Sequence, residues 1–567
     1  MTAPESSPAA EFDFVIVGAG SAGCLLANRL SANPDHRVLL IEAGGKDDWF
    51  WIKVPVGYLY TIANPRTDWC FTTEPDPGLA GRSIHYARGR VIGGSSSINA
   101  MIHMRGQASD YELWAQATGD ERWRWGGTDG SGGETLAIYK ELEDYFGGAN
   151  EWHGAGGEIA VERPRVRWKI LDAWQAAAAE LGIDPIDEFN RGSNDGSAYF
   201  HVNQRRGRRW SMADSFLHPV AQRPNLTIYT HAQALHLLMD GQVHEGQRRG
   251  AWTTARHRVT GVRLRRDGQI IDVQARREVI LSAGAIGSPQ LMQASGLGPA
   301  GLLTQHQVPV TVDLPGVGEN LQDHLQLRTV YRVRGARTVN TLYRNWVTRA
   351  GMGIQYLLLR SGPLTMPPST LGAFAKSDPA LASPDLEWHV QPLSLAKFGE
   401  PLHPFGAITP SVCNLRPTSR GHVRIAGADP LTSPRISCNY LSTDADRRIA
   451  VLGLRMTRQI MAAQSLARYR PEEVLPGPQR ESDEDLEQAA RELGTTIFHP
   501  VGTCAMGAFD PHGRPRSAAT VLDTDCRVYR VAGLRVVDAS AMPTITSGNT
   551  NAPVMLIAER AARAILE

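Results

Sequence analysis

Residues 12–23 read FDFVIVGAGSAG, and a second apolar run, residues 38–41 (VLLI), ends in Glu42. Phe14, Val15, Ile16 and Val17 are apolar and partly β-branched, which predicts a short buried strand. Gly18, Gly20 and Gly23 then give GxGxxG at the strand's end. The first glycine permits a tight turn, the second lets a pyrophosphate approach the backbone, and the third lets helix and strand pack closely. Ser21 and Ala22 open a helix predicted over 21–32, so the phosphates would meet free N–H groups at a helix N-terminus. Glu42, followed by Ala43, ends the second strand, where a carboxylate can accept both ribose hydroxyls of an adenine dinucleotide. Strand, helix and acid in this order favour a dinucleotide site over a glycine turn in an ordinary α/β unit.

The chain has 567 residues, enough for two or more domains and a large core. Lysine plus arginine number 59 and aspartate plus glutamate 58, a balance that argues against nucleic acid as the main partner. The local cluster Arg205, Arg206, Arg208 and Arg209 therefore reads as solvated surface rather than a polyanion site. The six cysteines are scattered without a CxxC pair, which suits a reducing compartment and argues against zinc ribbons and thioredoxin-like motifs. No metal site is expected. Residues 1–14 carry neither a basic start nor an apolar core, so they do not read as a signal peptide. No apolar run reaches the roughly eighteen residues of a membrane span. The expected setting is cytoplasmic, with peripheral attachment at the inner membrane left open.

Strands are predicted at 225–230, 259–265 and 271–282, with a polar, arginine-rich hairpin near 241–258. A helical segment is expected around 444–464, a buried strand at 534–538 (LRVVD), and a closing amphipathic helix at 554–566. Strands resembling the first nucleotide unit thus return late in the chain. The expected fold is α/β, a Rossmann-like domain interrupted by a sheet-based substrate domain. The divisions are 1–160, 221–325 and 525–567 for the first body and 161–220 and 326–524 for the second.

Residues 88–99 read RGRVIGGSSSIN, a bare backbone with small donors suited to a flat ring or a phosphate, though a plain loop fits as well. Residues 284–298 read GAIGSPQLMQASGLG, a small-residue turn and short helix that would equally serve helix–sheet packing. His499 precedes Pro500, which holds it extended, and Asn551 lies just before Pro553 in a helix's first turn. Taken alone, His499 reads as a hydrogen-bonded core histidine and Asn551 as a helix N-cap.

Together with residues 315–324 (PGVGENLQDH), 414–420 (NLRPTSR), 499–507 (HPVGTCAMG) and 548–553 (GNTNAP), these stretches resemble the glucose–methanol–choline (GMC) family of flavoprotein oxidoreductases, from about residue 12 onward. The motif wording resembles bacterial alcohol and choline dehydrogenases more than fungal sugar oxidases. The resemblance implies FAD. It assigns cofactor contacts to Arg88, Val91, Gly93, Gly94, Ser95, Asn99, Ala100, Ala283, Asp538, Ala539, Asn549 and Pro553, besides the first glycine motif, Glu42 and Ala43. It implies that the last helix points its positive end at the flavin N(1)–C(2)=O edge, where reduction puts negative charge. It assigns catalysis to His499 and Asn551: a base with a pKa near neutrality takes the hydroxyl proton of an alcohol while an amide holds the oxygen. Some family members bind flavin covalently through a histidine that is Ile98 here, so noncovalent FAD is expected; His103 lies nearby at a different position. Ile497 and Phe498, with parts of 361–366 and 388–395, are the expected substrate wall. The implied partners are a small alcohol and an electron acceptor, either oxygen or a quinone or other carrier. The implied reaction is hydride transfer from CH–OH to flavin. The alternative is a non-redox member of the same fold, a hydroxynitrile lyase or a light-driven decarboxylase.

Overall fold

The structure, a computed structural model, describes residues 10–127, 131–241, 255–396 and 400–567. In chain order its principal elements begin with strand β1 (Ala10–Val17), helix α1 (Ser21–Leu30) and β2 (Val38–Ile41). There follow β3 (Gly196–Tyr199), β4 (Leu226–Tyr229), β5 (Ala232–Asp240), β6 (His257–Arg266), β7 (Gln269–Leu281) and α2 (Gly284–Ala294). Next come β8 (Leu325–Arg328), β9 (Val330–Arg332), α3 (Trp346–Leu359), β10 (Leu371–Ala375), β11 (Leu386–Gln391) and β12 (Ala407–Asn414). The chain closes with α4 (Asp444–Ala462), β13 (Glu472–Leu475), β14 (Gly494–Thr496), β15 (Val531–Ala532), β16 (Leu534–Val536) and α5 (Asn551–Leu566).

One sheet runs β4-β2-β1-β7-β6-β5, with β15 added to β6 and β16 to β7. Its centre is parallel: Val15 lies opposite Leu39 on one side and Val279 on the other. These strands are buried on both faces, so they read as unbroken apolar runs rather than as alternation. α1 returns over the sheet and packs on α5, with Arg29 Nε donating to Glu559 at 2.9 Å. A second sheet, antiparallel throughout, runs β13-β9-β12-β11-β10-β3, with β8 joining β12 to β14. Each sheet has its own apolar core. β3 falls between β2 and β4, and the other strands of the second sheet fall between β7 and β16, which agrees with the interrupted Rossmann-like fold expected from the sequence.

Several details differ. Two stretches expected in the second body, Met212–Val220 and Val501–Leu522, bury their apolar side chains in the core of the first. β5 was not anticipated, because its apolar residues neither alternate cleanly nor run unbroken. Of the arginine-rich hairpin near 241–258, residues 242–254 lie outside the described residues, as do residues 1–9 of the stretch 1–14 that does not read as a signal peptide. The last helix begins at Asn551 rather than 554, and its polar face is buried too. The expected closing helix forms, but Arg560 on its polar side stacks on Trp123 (3.9 Å to the ring centre) and pairs with Asp120 at 3.2 Å. Finally, Arg209 is not solvated surface. It is 1% exposed and donates to Ile52 O, Ser96 O and Asn99 Oδ1 at 2.8–3.1 Å. It braces the GGSSSIN loop from behind.

Candidate active site

A cavity of about 310 Å³ runs along the carboxyl edge of the first sheet and ends against the second. This is where an open α/β sheet binds ligands, because helix N-termini and strand ends leave donors unpaired there.

At one end the wall is backbone. Gly20 caps α1 and no side chain caps the helix, so its first N–H groups face the cavity unclaimed by any side chain. A Cβ on Gly23 would lie 1.9 Å from Gly18 O, and one on Gly94 would lie 2.7 Å from Gly20 Cα. The glycine turn, α1 and the GGSSSIN loop therefore sit closer than any side chain permits. Glu42 Oε1 accepts from Gly44 N (2.8 Å) and Oε2 from Ala19 N (3.0 Å), which fixes the carboxylate. Burial nevertheless pushes its pKa up to about 7, against those two N–H donors and Arg90. Asp538, at the end of β16, accepts from Gly284 N, Ser288 Oγ and Ser540 N and Oγ. It clips α2 to the returning strand, and burial raises its pKa against those donors. Ser282 Oγ is buried on this wall without a partner among the described residues. Such a cradle, with an uncapped helix, a fixed acid and an orphan hydroxyl, fits an adenine dinucleotide.

At the other end the wall is side chains. β14 delivers Ile497, Phe498 and His499. Phe498 holds a left-handed backbone (φ 68°), an uncommon and costly state for a bulky residue. It is pinned on both sides: Phe498 N donates to Thr496 Oγ1 (2.7 Å), and Phe498 O accepts from Arg88 Nη2 (2.6 Å). Asp323, buried, gathers the surroundings. One carboxylate oxygen accepts from His499 N (2.8 Å) and His324 N (3.0 Å), the other from Thr496 Oγ1, Tyr86 OH and Tyr440 OH. His499 Nδ1 lies 3.1 Å from His324 Nδ1, and His324 Nε2 lies 3.1 Å from Leu415 O. His499 Nε2 lies 3.0 Å from Asn549 Nδ2. Burial, then the neighbouring His324, His389 and Arg88, hold the His499 pKa well below the usual histidine range. Burial lowers that of His324 as well.

The pairing of His499 with Asn551 is therefore not made. Asn551 is the first residue of α5, its N-cap is Thr550, and its Oδ1 accepts from Ser21 Oγ at 2.6 Å. Asn549, two residues earlier and expected at the cofactor, is the amide that meets the histidine. Both amides line the cavity. The spacing of two residues between asparagines left the sequence reading without a criterion; His499 supplies one.

Of the other expected contacts, Gly18, Gly20, Ser21, Ala22, Glu42, Ala43, Arg88, Gly94, Ser95, Asn99, Ala100, Ala283, Asp538 and Ala539 all line the cavity. Gly23, Val91, Gly93 and Pro553 stand outside that lining. Gly23 packs under Gly18, Val91 bridges Gly45, Gly93 starts the loop's 3₁₀ turn, and Pro553 is buried in the first turn of α5. Ile98 is buried with its side on the cavity. His103 faces Glu143 and Asn203 instead. From the expected substrate stretches, 361–366 stays off the wall, while His389 and Gln391, alternate residues of β11, reach it; Pro368, Ser369 and Gln326 join them. His324 lay in a motif read from the sequence, but nothing there tied it to His499. Asp47, Asp214 and His218 bring ligand atoms within 4.8 Å of one another. Lys53 Nζ already bridges the two carboxylates at 2.6 and 2.8 Å.

Residues 12–326 match the family model of the GMC oxidoreductase N-terminal region and residues 417–558 that of its C-terminal region. The chain belongs to the GMC oxidoreductase family, whose members are FAD flavoproteins. It is an FAD-dependent alcohol oxidoreductase. It is 38% identical to an alcohol dehydrogenase [acceptor] of Pseudomonas putida, over 98% of this chain and 96% of that one. It is 35% identical to the mitochondrial choline dehydrogenase of Mus musculus, over 97% and 89%. Among solved structures it is similar to pyridoxine 4-oxidase from Mesorbium loti (TM-score 0.84, 34% identity, 98% and 99% covered). It is also similar to a formate oxidase (TM-score 0.86, 25% identity, 99% of each chain).

Proposed function

We propose that the chain oxidises the CH–OH group of an alcohol to a carbonyl, with His499 as base, Asn549 holding the alcohol oxygen, and FAD bound noncovalently. The observation that carries this reading is the hydrogen-bond chain Leu415–His324–His499–Asn549. Leu415 O can only accept, so the proton of neutral His324 sits on Nε2 and its Nδ1 is the acceptor. His499 Nδ1 must then donate to it, which leaves the Nε2 lone pair facing the cavity and Asn549. Burial keeps that imidazole neutral, the form a base needs.

An alcohol oxygen beside Nε2 can hand over its proton and accept from Asn549 Nδ2. The amide cannot compete for the proton. When bound, FAD supplies the acceptor for the hydride of the carbinol carbon. Gly18–Ser21, Glu42 and the uncapped start of α5 would hold it, and that helix end offers N–H groups and partial positive charge to an electronegative edge. Ile497 and Phe498 exclude water from the proton transfer. Noncovalent attachment is supported by Ile98, whose alkyl side chain cannot bond to a flavin.

The test is anaerobic mixing of the yellow protein with a panel of alcohols. Bleaching of the flavin with release of the matching carbonyl is expected, and no bleaching with any alcohol would reject the reading. Acid precipitation should leave FAD in the supernatant; flavin in the pellet would reject noncovalent attachment.

A further inference from the structure

Helix α3 has an apolar face turned to solvent. Trp346 is 72% exposed, Leu358 76% and Leu359 67%, with Val347, Ile354 and Leu357 all above half. Only Met352 and Tyr356, one turn apart, are buried. At 100° per residue, Trp346, Val347, Ile354, Leu357 and Leu358 fall within one arc of about 120°, opposite that buried pair. Monomeric proteins rarely leave such a patch uncovered. It continues onto the neighbouring segment: exposed Tyr343 hydrogen-bonds Tyr60, which stacks on Trp51 at 4.2 Å, with half-exposed Phe50 beside it.

The charge along the stretch that carries α3 has one sign. From residue 324 to 377 there are seven arginines, one lysine and no aspartate or glutamate, in a chain that overall balances 59 cations against 58 anions. Among the described residues, Arg337, Arg344, Arg349 and Arg360 pair with no carboxylate; Arg349 and Arg360 instead lie over the rings of Tyr343 and Tyr356.

We infer that this face docks on an anionic lipid surface, with α3 lying in the interface and its arginines against the headgroups. Apolar side chains flanked by aromatic rings and unpaired cations are what an interfacial helix requires. Spanning is excluded by length: α3 has 14 residues, about 21 Å, against a hydrocarbon core of about 30 Å. A second copy fits less well. A two-fold interface would set this patch against itself, arginines facing arginines with no acid between. The placement also has meaning for the site. The buried side of α3, through Tyr356, joins the apolar cluster of Tyr58, Ile62, Ala87 and Phe498, three of which also line the cavity. The docked face is thus one layer of side chains from the substrate end.

Sedimentation of the FAD-loaded protein with phosphatidylcholine vesicles, with and without phosphatidylglycerol, tests the inference. Binding is expected to the anionic vesicles and to weaken as salt rises. Ile354→Glu with Leu358→Glu, and separately Arg344→Glu with Arg349→Glu, should each lower it by at least about tenfold. Flavin content and oxidation of a water-soluble alcohol should be unchanged in both. No binding by the parent, or binding unaltered in the Ile354/Leu358 variant, would overturn the proposal. So would a parent dimer in sedimentation velocity that the same variant converts to monomer.

Discussion

The two ends of the cavity are built in opposite ways. The nucleotide end is made of backbone from short, local stretches: the turn at Gly18–Gly23, the acid at Glu42, the loop at Gly93–Asn99. The substrate end is made of side chains brought from far apart, with His324, Leu415, His499 and Asn549 in one hydrogen-bond chain. A backbone cradle fixes what is bound and tolerates few side chains. A side-chain relay fixes a protonation state and says little about the ligand's shape. Binding and chemistry should therefore come apart under mutation.

The largest separation is expected at His499. His499→Ala should leave FAD content unchanged and slow anaerobic flavin reduction, at saturating alcohol, by about 100- to 10,000-fold. Stopped-flow absorbance reads it directly, and a rate equal to the parent's would make His499 a structural residue. At the other end, Glu42→Ala should weaken FAD by about ten- to a hundredfold, since it strands the N–H groups of Ala19 and Gly44 as well as the ribose hydroxyls. Reduction of the FAD-saturated variant should keep the parent's rate. Titration of apoprotein with FAD measures the affinity.

The two asparagines sharpen the contrast. Asn549→Ala should slow reduction by roughly tenfold, the value of one lost hydrogen bond to the reacting oxygen. Asn551→Ala, which releases Ser21, should change FAD affinity more than the reduction rate. The reverse pattern would return the catalytic amide to Asn551. The smallest effect is on pH. The active form of His499 is neutral and acid protonates it. Because burial holds its pKa well below 6.5, the reduction rate should stay level through pH 6.5 and fall only below it. An acid limb centred above 6.5 would contradict that environment.

What the sequence made legible follows the same division. GxGxxG and its acid are local patterns whose geometry is dictated by steric contact, so strand, helix and Glu42 fell where expected. The returning strand β16 was legible in LRVVD despite Arg535, whose charge is met by Glu278. The choice between Asn549 and Asn551 was not, because both precede or open the same helix and only a partner 50 residues away distinguishes them. Arg209 was misread for a related reason: its charge suggests solvent, and its burial depends on carbonyls of Ile52 and Ser96 that no local pattern reveals. The second sheet's wall, at His389 and Gln391, is a matter of which face of β11 turns inward.

The pairing of β16 with β7 and of α5 with α1 has a consequence for how the molecule is made. On a ribosome adding about 5–20 residues per second, roughly half a minute to two minutes separate the emergence of Gly18 from that of Asn551. Through that interval α1 shows a bare apolar flank, and β7, once made, waits about 250 residues of synthesis for β16. The first half of the chain must wait, exposed, for its last forty or so residues. Chaperone demand during synthesis should therefore concentrate on the earliest-made part, and FAD can seal its pocket only after the final helix arrives.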